Sequence, residues 1–144
     1  MAAASNNKRI TLPQYRALAD FRYELRRFLR YSEELTRRHG LTPLQYQLLL
    51  QIKGYPQPDR ATIGALAERL QAKHHGVVAL ATRCENLGLI KREASEQDRR
   101  VVFLVLSAKG SRLLEVLARL HNKELRALQG RFVVPTAERS GSEF

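Results

Sequence analysis

Tryptophan is absent from the 144 residues, and methionine and cysteine occur once each. The lone Cys84 leaves no partner for an intrachain disulfide and too few thiols for a multi-cysteine zinc cage within one chain, usage that suits a reducing cytoplasm. Acidic residues are scarce, 14 against 25 Lys plus Arg, and the formal net charge is +11. That imbalance favours a polyanionic partner, either nucleic acid or an anionic membrane surface. Long apolar runs are missing as well. The opening MAAASNNKR lacks the apolar stretch of a signal peptide, and Val101 to Leu106, the strongest later run, is far too short to span a bilayer. The basic residues are spread along the chain and do not form a polar face opposite bulky apolar ones, so no membrane partner is expected. A cytoplasmic protein with one core follows from this composition.

Catalytic signatures are equally sparse. There is no phosphate-binding glycine loop, no His-Glu-x-x-His, no nucleophile elbow and no pair of carboxylates in an apolar setting, so neither an enzyme nor a cofactor is expected. His74 and His75 are adjacent, which turns their rings apart, and no Asp, Glu or Cys stands nearby at ligand spacing. No metal is expected there. Cys84 falls between Leu80 and Leu87 on an apolar stripe and is expected to be an inert core thiol.

What is present is a strong helical period. Between Pro13 and His39 the residues Leu18, Phe21, Leu25, Phe28, Leu29 and Leu35 recur at three- and four-residue steps, predicting a long amphipathic helix ended by Gly40. Arg16, Arg22, Arg26, Arg27 and Arg30 alternate there with acidic residues and are expected to be a solvated, salt-bridged face. Thr42 and Pro43 read as the cap and first turn of a second helix carrying Leu44, Leu48, Leu49 and Ile52, closed by Gly54 to Pro58. Thr62 caps a short third helix with Ile63, Leu66, Ala67 and Leu70 on one face. After a turn at Gln71 to Lys73, a fourth helix from about His74 to Leu87 places Val77, Leu80, Ala81, Cys84 and Leu87 on a buried stripe, with Gly88 as a left-handed cap.

Ile90 to Ala94, the polar tip Ser95 to Asp98 and the β-rich return Val101 to Leu106 predict an antiparallel hairpin. Ser107 caps a last helix in which Leu113, Leu114, Leu117, Leu120 and Leu125 form a seam suited to a partner helix. The fold class is therefore mainly α with a small β-hairpin wing: a winged helix-turn-helix flanked by N- and C-terminal dimerisation helices. In domain terms, residues 1–12 are expected to be a flexible N-terminus and 13–129 one domain, with dimerisation helices at 13–39 and 107–129 around a winged unit at 41–106. Residues 130–144 are expected to be a flexible tail.

This order matters because a helix-turn-helix sends its second helix into the major groove while the first braces on the backbone. Lys73, His74 and His75 crowd the positive end of the fourth helix, where a cation is unfavourable unless an anion such as DNA phosphate arrives. Gly76, Val78, Ala79, Thr82 and Arg83 lie off the buried stripe and form the expected reading face, Val78 or Ala79 against thymine methyls and Arg83 on phosphate or guanine. Lys91 and Arg92 at the base of the hairpin are expected phosphate contacts.

From Leu41 to Leu114 the chain resembles the MarR family of winged helix-turn-helix transcription regulators. The resemblance is carried by Leu41-Thr42-Pro43, Leu66-Ala67-Glu68-Arg69-Leu70, Leu87-Gly88-Leu89-Ile90, Asp98-Arg99-Arg100 and Leu106-Ser107-Ala108-Lys109-Gly110, in that order. It implies a homodimer, with each winged unit reading half of a palindromic operator on double-stranded DNA, acting as a repressor. It also implies that one wing arginine, here Arg99, enters the minor groove while Asp98 ties down Arg100 in a bidentate pair. A pocket for a small aromatic or phenolic effector is implied between the dimer helices and the winged unit, with Tyr15, Tyr31, Tyr46 and Phe21 as walls. Peroxide-sensing members carry their reactive cysteine in the first helix, where this chain has none. The chain departs from the family at Lys73, Gly76, Val78 and Ala79, where a Ser or Thr cap and polar readers are usual. A ligand sensor, or a protein-interaction module without sequence-specific DNA binding, remains the alternative.

Overall fold

The computed structural model of the protein describes residues 8–135, so residues 1–7 of the expected N-terminus and 136–144 of the tail expected at 130–144 lie outside the described residues. The elements run α1 (Leu12–Arg38), α2 (Pro43–Lys53), α3 (Ile63–Leu70), α4 (His74–Asn86), β1 (Ile90–Ala94), β2 (Val102–Leu106) and α5 (Ala108–Ala127).

Two of these helices start with the same device. Thr11 and Thr42 each accept a hydrogen bond from the backbone N–H of a glutamine three residues on, Gln14 and Gln45, whose side chain accepts in return from the threonine N–H. Each box satisfies two otherwise orphaned donors. Thr62 and Ser107 cap α3 and α5 in the simpler way, a contact worth about 1 kcal/mol each.

The helix α2 lies at the centre, packed against α1, α3, α4, α5 and β2. Its Leu48 and Leu49 are fully buried, together with Leu66 of α3, Val77, Ala81 and Cys84 of α4, Leu89, Leu104 of β2 and Leu117 of α5. One apolar cluster thus holds the helix-turn-helix, the wing and the C-terminal helix together. The hairpin pairs antiparallel from Ile90 with Leu106 to Ala94 with Val102. Ala61 adds one bridge to Leu104 on the other side of β2, through a 2.8 Å bond from the Leu104 N–H to the Ala61 carbonyl.

Some residues expected in the core are exposed. Leu87 is the C-cap of α4 and no longer on its helical stripe; it is 43% exposed, and Leu89 fills the core position instead. Leu44 at the start of α2 and Leu18 and Leu29 on α1 also face outward, as does Leu125 of the α5 seam expected to meet a partner helix. Their helices are longer than the core they cover, so only part of each apolar stripe finds cover within one chain.

At the junction of α1, α2 and α5 sits a group that the sequence did not mark. The buried His121 donates from Nδ1 to the Leu117 carbonyl at 2.7 Å, and its Nε2 is hydrogen-bonded with the Ser32 hydroxyl at 2.7 Å. Its ring stacks on Tyr46 with centroids 4.5 Å apart, and Phe28 and Tyr31 meet it edge-on. Beyond α5 the chain turns at Gly130 and brings Phe132 to within 5.2 Å of Phe21, ring centre to ring centre.

Candidate nucleic-acid interface

The turn between α3 and α4 is built on Gln71, whose left-handed backbone (φ 51°) closes α3. Lys73 then stands at the N-cap of α4 and offers no side-chain acceptor, so the first turn of α4 is uncapped from within the protein. Its free N–H groups and the positive end of the helix dipole face solvent among Lys73, His74 and His75, all exposed.

Every other residue singled out on α4 is exposed too. Gly76, Val78, Ala79, Thr82 and Arg83 lie on the outward face, opposite Val77, Ala81 and Cys84. From Lys73 to Arg83 no acidic residue occurs. A Cβ added at Gly76 would meet nothing within 4 Å, so the fold itself makes no demand for glycine there. The Thr82 hydroxyl is not free: it donates to the Val78 carbonyl at 3.0 Å and accepts from Arg92 at 3.1 Å.

At the wing tip Asp98 accepts the Arg100 guanidinium through both oxygens, Nε to Oδ1 at 3.1 Å and Nη2 to Oδ2 at 3.2 Å, and also accepts the Arg100 backbone N–H at 3.1 Å. The side-chain bonds from Arg100, then its backbone bond, hold the Asp98 carboxyl below its ordinary value. The neighbouring Arg99 is exposed and makes no ion pair among the described residues. Lys91 is likewise exposed, whereas Arg92 is paired with Glu85 at 3.1 Å.

The wing and α4 are anchored behind this surface by Ser107, Lys109 and Gly110. The Ser107 hydroxyl donates to the Gly88 carbonyl and accepts the Gly110 N–H at 3.0 Å, while Lys109 Nζ donates to the Leu87 carbonyl at 2.9 Å. The end of α4, the start of β1 and the start of α5 therefore share one knot.

Of the aromatic residues expected to wall an effector pocket, Tyr46 and Tyr31 surround His121, Phe21 packs on Phe132, and Tyr15 is exposed on α1. Burial pushes the Cys84 thiol up to about 11, as expected for an inert core group. Among the described residues no cluster of His, Cys, Asp and Glu has the makings of a metal site, and no helix is long and apolar enough to cross a membrane.

Residues 39–101 match the family model described as the MarR family. Over 86 residues the chain is 34% identical to the HTH-type transcriptional repressor MdtR of Bacillus subtilis, a match covering 59% of this chain and about half, 54%, of that protein. Among solved structures, the MarR family transcriptional regulator AbsC from Streptomyces coelicolor superposes with a TM-score of 0.72 at 25% identity, covering 90% of this chain and 86% of AbsC. A mutant of Staphylococcus aureus MepR bound to an oligodeoxyribonucleotide shares the fold with a TM-score of 0.66 at 23% identity, covering 85% of this chain and 84% of that one.

Proposed function

We propose that the chain, whose residues 39–101 match the MarR family model, is a MarR-family homodimeric transcription regulator, most simply a repressor, that reads a palindromic operator in double-stranded DNA. In this reading α4 enters the major groove and Arg99 enters the adjacent minor groove. Lys73, His74, His75, Arg83 and Lys91 meet phosphates, and Gly76, Val78 and Ala79 lie against base edges. The exposed leucines of α1 and α5 and the exposed Tyr15 and Tyr23 of α1 pack against a second copy.

One observation carries this reading. The outward face of α4 is exposed and free of acidic residues from Lys73 to Arg83, and beside it stands a wing whose Asp98 holds Arg100 and leaves Arg99 to project alone. An uncapped, cationic helix start, together with an unpaired arginine at the tip of the wing, is a surface arranged for a polyanion.

Sequencing duplexes retained by the purified protein from a random pool, at two salt concentrations, tests the assignment. The expected product is an inverted repeat with half-sites about 10 base pairs apart, centre to centre, bound more weakly as salt rises. Arg99→Ala should weaken that binding by roughly tenfold. Retention of no duplex at low salt, or binding indifferent to Arg99→Ala, would reject it in favour of a protein-interaction module.

Release by a small aromatic or phenolic effector belongs to the same reading, at the α1, α2 and α5 junction. The His121 ring stacks on Tyr46 there, and in this reading an effector competes for that aromatic face. Screening aromatic acids and phenols for loss of DNA binding is the direct check, with His121→Ala expected to change the response.

A further inference from the structure

We infer that Arg92 is a positioning residue that clamps the wing to α4, and that it is not itself a ligand of DNA phosphate. This rests on the reading that α4 and the wing grip DNA together.

Arg92 lies on β1 opposite Leu104. Its Nε donates to Glu85 Oε2 at 3.1 Å and its Nη2 donates to Thr82 Oγ1 at 3.1 Å. Thr82 and Glu85 are one turn apart on α4, so a single guanidinium spans a turn of the recognition helix. The Thr82 proton is committed to the Val78 carbonyl, which turns an oxygen lone pair toward Arg92. Glu85 neutralises the charge that a phosphate would need.

A planar fork held at two points fixes direction as well as distance, which a lysine ammonium cannot do. The pair is partly exposed, with side chains 35% and 40% accessible, so its effect on global stability is small. Its effect is on geometry. The hairpin is held at its base by the Ser107 and Lys109 contacts to Gly88 and Leu87, and on its β2 side by the Ala61 bridge. Beyond the buried Ile90, the Arg92 side chain ties β1 sideways to α4, and so it steadies the angle at which the wing carries Arg99. Lys91, on the opposite face of the strand, is left for phosphate.

The test uses the full chain and a duplex of about 30 base pairs enriched from a random pool by the wild-type protein, long enough for two half-sites. Arg92→Ala and Glu85→Ala should each weaken binding roughly fivefold, with the slope of log K against log salt unchanged. Arg92→Lys should behave like Arg92→Ala. Lys91→Ala should instead lower that slope by about 0.9. Glu85→Ala separates the alternatives by sign, because removing an acidic group near DNA would tighten binding if Arg92 were a phosphate ligand. A slope reduced in Arg92→Ala and restored by Arg92→Lys, or tighter binding in Glu85→Ala, overturns the clamp. Hydrogen exchange of the hairpin amides without DNA should be faster in Arg92→Ala and Glu85→Ala and unchanged in Lys91→Ala. Wild-type exchange in the first two also overturns the clamp, even if the protein enriches no duplex and the DNA reading itself fails.

Discussion

Gly110 lies so close to the backbone of Leu89 that a Cβ at this position would overlap the Leu89 carbonyl oxygen. The neighbour is main chain and cannot swing aside. This close approach lets Ser107 reach both the Gly110 N–H and the Gly88 carbonyl, and so joins α5 to the end of α4. Gly110→Ala is therefore expected to cost about 1–3 kcal/mol, seen as a lower urea midpoint at unchanged slope. A midpoint equal to that of the wild type would show that α5 is not seated on Leu89.

Asp98 titrates below its ordinary value because Arg100 bonds to its charged form. A depressed carboxyl value means that the tip contact is complete above the ordinary carboxylate range and is lost as pH falls through the depressed one. The Asp98 carboxyl resonance should thus titrate low in the wild type and rise in Arg100→Ala. Equal midpoints in the two proteins would remove the pair from solution.

Gly76 occupies the first turn of α4 with open space where its Cβ would be. Alanine is the better helix former, so Gly76→Ala should stabilise the free protein by up to about 1 kcal/mol. If DNA lies against that turn, the same change should weaken binding. A variant that melts higher and binds as tightly as the wild type would place the DNA elsewhere.

Burial moves the Cys84 thiol from 9.0 up to about 11. The unfolded chain then loses its proton first, so the stability contributed by this group is complete below pH 9.0 and falls as pH rises toward about 11. Native protein at neutral pH should resist alkylating reagents, and urea should expose the thiol. Rapid labelling without urea would contradict its place in the core.

The helices and the hairpin were legible because their signals are local. Thr42, Thr62 and Ser107 announce helix starts by residue type, and the apolar period announces which face is buried. Gly88 does have the left-handed backbone its position suggested, with φ 73°. Leu87 was misjudged because periodicity does not say where the helical backbone stops, and the chain leaves the stripe one residue before it. Leu18 shows the complementary limit, since a stripe reports what is apolar and not how far one chain's core extends. The contact of His121 with Ser32 and Tyr46, the seat of Gly110 on Leu89, and the reach of Arg92 to Thr82 and Glu85 join separate elements. No spacing in the sequence encodes them. At the wing tip the pairing of Asp98 with Arg100 follows from adjacency. What Arg99 touches depends on a second molecule.

The outer edge of β1 bears Lys91, Arg92 and Glu93 in succession, all exposed, while β2 alone receives the extra bridge from Ala61. Unpaired strand borders invite stacking by further chains, and charge along them discourages it. In the proposed homodimer, built on the apolar sides of α1 and α5, this charged border keeps the wing from seeding open-ended β-assembly, so that self-association stops at a closed pair.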